Sequence, residues 1–92
     1  MPLTTKFKQQ LKARAHKLKP VILIGQLGLT PAVEKEIDRA LNDHELIKIR
    51  IAEQDRDVRK QLFLQLCETT QAELVQVIGN IGVVYRRSLD HS

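Results

Sequence analysis

The 92-residue chain has one cysteine, Cys67, no tryptophan, and three aromatic residues: Phe7, Phe63 and Tyr85. A lone cysteine cannot close an internal disulfide, so the fold must rest on buried apolar surface. Cys67 itself reads as a buried, inert thiol near the edge of a helical stripe. No apolar run approaches the ~20 residues that span a bilayer, so no membrane partner is expected. The basic N-terminus is followed by no apolar stretch of the secretory kind, and a cytoplasmic protein is expected. His16, His44 and His91 lack cysteine neighbours and metal-ligand spacing, so no metal and no other cofactor is expected. No Cys/His pair sits at the spacing of a nucleophile and its base. Glu34 and Glu36, two apart on a helix, do not face each other as an acid/base pair would. The pattern argues against an enzyme.

The most uneven absence is negative charge. No Asp or Glu occurs before Glu34, whereas Lys6, Lys8, Lys12, Arg14, Lys17 and Lys19 all do. The formal net charge of +4 is therefore a strongly basic first third joined to a slightly acidic remainder. Such asymmetry fits a polyanionic partner, although a solvated helix face that keeps the protein soluble has the same composition.

What is present is one periodic pattern after another. Phe7, Leu11, Ala15 and Leu18 fall on one stripe of a helix over roughly 5–17, which Lys19-Pro20 closes. Val21 to Ile24 is apolar on both faces, as an interior strand would be. Thr30-Pro31 is a strong helix start, and Val33, Ile37, Ala40 and Leu41 then form a buried stripe, with Lys35 and Arg39 outside. In Leu46–Ile51, Ile47, Ile49 and Ile51 alternate with Lys48 and Arg50, which predicts a strand with one buried face. Asp55 can cap a third helix carrying Val58, Leu62, Phe63 and Leu66 inward. Two further strands, 74–78 and 83–86, flank a turn at Gly79-Asn80-Ile81-Gly82. The expected fold is α/β (α+β), ordered α-β-α-β-α-β-β, with a mixed four-stranded sheet. With no repeat, linker or boundary visible, residues 1–92 read as one domain.

Between the first strand and the second helix lies Gly25-Gln26-Leu27-Gly28. Two glycines three apart let backbone N–H groups approach a ligand closely, and the helix start behind them favours negative charge. The turn lacks the Lys-Ser/Thr of a Walker loop and the G-x-G-x-x-G of a dinucleotide site. Glycines that merely satisfy the turn's geometry are the alternative.

The Gly25-x-x-Gly28-Leu29-Thr30 turn, His44-Glu45-Leu46-Ile47-Lys48, Val75-Gln76-Val77-Ile78-Gly79 and Val84-Tyr85-Arg86, in this order and spacing, resemble the CRM domain. CRM stands for chloroplast RNA splicing and ribosome maturation, and the bacterial stand-alone members are YhbY-type proteins. The resemblance runs from about Leu11 to Arg86. It implies a fold similar to the C-terminal domain of bacterial translation initiation factor three. It also implies RNA binding through a glycine loop comparable to that of KH domains. Bacterial members associate with precursors of the large ribosomal subunit. Gly25 and Gly28 then match the loop glycines, Lys12 a basic position on the first helix, and Arg86 the basic residue after the last strand's Tyr. The family's loop interior is usually polar. Here it is Gln26-Leu27, which leaves Gln26 and the backbone to make contacts.

The expected RNA-binding residues are accordingly Lys12, Lys17, Lys19, Gly25, Gln26, Leu27, Gly28, Lys35 and Arg86, in a monomer bound to ribosomal RNA of a pre-large-subunit particle. The basic first helix and the glycine turn would form one surface. Phe7 and Phe63 fall on core stripes, leaving at most Tyr85 as a base platform, so contacts to phosphate and shape should dominate. The alternative is a protein-interaction module on the ribosomal particle, working through the sheet or the acidic remainder. Steep salt dependence separates the first reading from the second.

Overall fold

The computed structural model describes residues 3–87. Local signals place its helices. Helix α1 (Thr5–Ala15) starts where the Thr4 hydroxyl accepts from the Phe7 amide at 3.1 Å. Strand β1 (Pro20–Ile24) follows. Helix α2 (Pro31–His44) starts at Thr30, whose hydroxyl accepts from the Val33 amide at 3.2 Å, with Pro31 in the first position. Strand β2 (Leu46–Ile51) leads to helix α3 (Arg56–Thr70), where Asp55 Oδ1 accepts from the Asp57 and Val58 amides at 2.9 and 3.2 Å. Strands β3 (Glu73–Ile78) and β4 (Ile81–Tyr85) close the chain as a hairpin.

The sheet order is β1-β2-β4-β3. β1 and β2 are parallel, joined by α2. β4 is antiparallel to both β2 and β3, so it is inserted between the two strands that α3 connects. The fold is thus the mixed α+β arrangement expected from the pattern. Strict alternation in β2 divides the core into two layers. Ile47, Ile49 and Ile51 turn toward α2 and α3, joining Ile37, Leu41, Phe63, Leu66 and Val84. Leu46 turns to the other face, where Leu11 and Ala15 of α1 pack on Val75 and Val83. Arg50 is exposed and Lys48 half-buried, as the alternation requires.

Several expectations are corrected. β1 is an edge strand, not an interior one, with Val21 and Leu23 55% and 63% exposed. The cause is the length of α1: 11 residues span about 16 Å and settle over β2 and β3, leaving that face of β1 bare. The helix ends at Ala15 in a turn at His16-Lys17, short of Lys19-Pro20, so Leu18 leaves the stripe and is exposed. Val58 is exposed in the first turn of α3, ahead of the stretch that meets the sheet. The β3-β4 hairpin turns in two residues, Gly79-Asn80, with Gly79 at φ 58°. Gly82 therefore belongs to β4, not to the turn.

Candidate nucleic-acid interface

The Gly25–Gly28 turn is closed by one backbone hydrogen bond, from the Gly28 amide to the Gly25 carbonyl at 3.1 Å. Thr30 N–H donates to the Gly28 carbonyl at the same distance, which seats the turn on the start of α2. Gln26 and Leu27 occupy the two central positions, and Leu27 is 89% exposed. Their amides donate to no protein acceptor among the described residues. Two free N–H groups thus sit beside a helix N-terminus, the arrangement that binds anions.

The two glycines differ in what they do for the fold. Gly28 has φ 69°, a left-handed conformation that disfavours a side chain. Gly25 has no such φ, and a Cβ added there would meet nothing within 4 Å. Turn geometry accounts for Gly28 but not for Gly25, whose bare backbone opens onto solvent. Lys35 lies on the exposed side of α2, one turn beyond Pro31, and adds positive charge behind the turn.

The remaining basic residues gather elsewhere. Lys17 and Lys19 line a groove together with Arg14. That groove opens at the start of β1, while the glycine turn follows its end. The two sites are separated by the strand, about 13 Å at ~3.3 Å per residue. The expected single surface is thus two positive zones bracketing the free edge of β1, with Val21 and Leu23 exposed between them. Lys12 is half-buried on α1 and is not part of the groove wall. Arg14 was legible as the residue one helical turn before Lys17.

Arg86 is placed differently again. Its Nη1 donates to Asp38 Oδ1 at 2.6 Å and to the Thr70 carbonyl at 2.9 Å. Nη2 donates to the Asp38 carbonyl at 3.0 Å and to Asn42 Oδ1 at 2.8 Å. The guanidinium therefore ties α2 to the end of α3, and its side chain is 18% exposed. Tyr85 packs edge-on against Phe7, ring centroids 5.4 Å apart, which ties this aromatic ring to the core layer under α1.

The model of the CRS1/YhbY (CRM) domain family matches residues 3–86. The chain belongs to this family. Among relatives of this CRM domain, the probable RNA-binding protein PA4753 of Pseudomonas aeruginosa is 47% identical over 96% of the chain and 85% of its own length. An RNA-binding protein of Haemophilus influenzae is 48% identical over 94% of the chain and 87% of its own length. The solution structure of SAV1595 from Staphylococcus aureus superposes with a TM-score of 0.85 at 40% identity, covering 99% of this chain and 95% of that one. No helix among the described residues is long and apolar enough to cross a membrane.

Proposed function

We propose that this CRM domain binds structured RNA, contacting phosphates at both ends of the β1 edge and carrying out no chemistry of its own. One observation carries the reading: the free amides of Gln26 and Leu27 at one end of β1 and the Arg14, Lys17 and Lys19 cations at the other, in a stretch of chain without a carboxylate. Relatives named as RNA-binding proteins support it. Lysine and backbone amides contact phosphate without reading sequence, so the domain would recognise backbone geometry more than base identity. The resemblance to members that associate with large-subunit precursors makes ribosomal RNA the favoured partner. The protein would bind stoichiometrically to an assembling particle.

Crosslinking the protein to RNA in cells and sequencing the attached fragments tests the partner. Reads concentrated in large-subunit ribosomal RNA, its precursor segments included, are the expected result. In vitro, affinity for a ribosomal RNA fragment should fall linearly in log–log form with salt, by roughly 0.7–0.9 log units per phosphate contact. A salt-independent affinity for the particle's proteins, with no RNA crosslinks, would instead support a protein-interaction module.

A further inference from the structure

The basic groove at the start of β1 has a composition that phosphate binding does not explain. Its volume is 360 Å³, within the ~300–1,000 Å³ range of sites that enclose small ligands. Arg14, Lys17 and Lys19 supply cations, His44 at the end of α2 supplies a flat ring, and no carboxylate among the described residues lines it. The rest is apolar. Leu46 and Ile47 of β2, 4% and 2% exposed, complete the lining, and Leu18 and Val21, 37% and 55% exposed, remain open to solvent.

A duplex backbone offers charge but no apolar surface to such a slot, and paired bases stay stacked inside the helix. A single unpaired nucleotide offers both. Its base has two apolar faces and its flanking phosphates are anionic. Imidazole rings and arginine planes stack on such bases. We infer that this groove accepts one unpaired RNA nucleotide, its base against Leu18, Val21 and His44 and its phosphates on Arg14, Lys17 and Lys19. The inference rests on the RNA-binding reading above and adds to it a preference for RNA with a bulged or unstacked base. The glycine turn, at the other end of β1, would hold the neighbouring paired backbone.

The test compares two fluorescent RNAs: a 12-base-pair duplex and the same duplex carrying one bulged adenosine. Both are titrated with the protein and with the variant Leu18→Gln/Val21→Thr, at two or more salt concentrations. Both substitutions are at exposed positions and leave every cation in place, and circular dichroism confirms the fold. The expected result is about tenfold tighter binding of the bulged duplex, a preference that the variant loses while its affinity for the plain duplex is unchanged. Equal binding of both RNAs with a steep salt slope would overturn the groove assignment and leave the phosphate reading standing. So would a bulge preference that survives in the variant. Failure to bind either RNA at low salt would overturn both readings.

Discussion

The ring of Phe63 occupies the place into which a side chain on Gly82 would project. A Cβ at Gly82 would lie 2.7 Å from Cδ1 and 2.8 Å from Cζ of that ring. Gly82 pairs with Ile49 on one side and Val77 on the other, so the β4 backbone cannot yield without breaking two ladders. Gly82→Ala is expected to cost about 1–3 kcal/mol by overpacking. Phe63→Leu in the Gly82→Ala background should cost less than in the parent, because the two changes share one contact. Urea denaturation of the four proteins checks this. Additive losses would show that the ring does not depend on the glycine.

Arg86 makes a different long-range contact. Its four acceptors include two backbone carbonyls, Asp38 and Thr70, which no other side chain reaches among the contacts described. Arg86→Ala should destabilise by an amount on the order of 2–3 kcal/mol, through charge-assisted bonds lost and the part-buried Thr70 carbonyl left without this donor. Arg86→Lys should recover less than half, since an ammonium cannot match a planar fork. Salt should change the loss little, because the ion pair with the half-exposed Asp38 is its smaller part. Urea midpoints at low and high salt measure both claims. A loss that vanishes at high salt would reduce Arg86 to a surface ion pair.

These two contacts mark what the sequence made legible and what it did not. The β2 register was readable because a period of two leaves Ile47, Ile49 and Ile51 a single consistent face. The starts of α2 and α3 were readable because Thr30 and Asp55 bond to amides within three residues of themselves. Gly79 and Gly82 looked alike because both lie in a glycine-rich run. One serves a local turn, the other a ring 19 positions away in sequence. The acceptors of Arg86 are likewise remote, 16 to 48 positions away, at the end of α3 and in α2. Val21 to Ile24 has the composition of a buried strand, and only the reach of α1 decides that it lies bare at the edge. The glycine turn was visible as a motif, but its separation from Lys17 and Lys19 depends on where α1 stops.

Cys67 is 7% exposed, and burial, with a smaller contribution from the Glu73 carboxylate, pushes its thiol up to about 12 from an ordinary 9. The native protein should therefore be silent to disulfide-exchange reagents at pH 8, reacting only as it unfolds. Between pH 9 and about 12 the unfolded chain gives up this proton before the folded one does. Native stability should accordingly decline through that window, and Cys67→Ala should remove this part of the decline. Fast thiol labelling in native buffer would contradict the buried placement.

Gln71 ends α3 at φ 58° and ψ 35°, a left-handed conformation that suits glycine. Its amide donates to the Glu68 carbonyl at 3.3 Å, a bond any residue can make. Gln71→Gly should therefore raise stability by about 0.5–1 kcal/mol, relief of backbone strain outweighing the added freedom of the unfolded chain. Thermal denaturation decides the sign. A lowered midpoint would mean that the glutamine side chain contributes more than its backbone costs.

The glycine turn yields the most discriminating prediction, because its two glycines differ. Gly25 needs neither a positive φ nor a vacant neighbourhood, so Gly25→Ala should leave stability within about 0.5 kcal/mol of the parent. If an RNA phosphate lies against the bare backbone there, the added methyl should still weaken RNA binding. Gln26→Asp/Leu27→Asp keeps both glycines and places two negative charges at the free amides. Its stability should also hold, while affinity falls by about 1–3 kcal/mol from lost charge-assisted bonds and new repulsion. Lys17→Glu/Lys19→Glu acts at the other end of β1, beyond the roughly 13 Å length of the strand, and should flatten the salt slope. Combined with the turn variant, the losses should add within about 0.5 kcal/mol, since the two zones share no side chain. Binding curves across salt, with thermal midpoints as the control, report all of these. A folded Gly25→Ala protein and a folded aspartate variant that both bind like the parent would leave Gly28 as a turn residue and place the RNA on the groove alone.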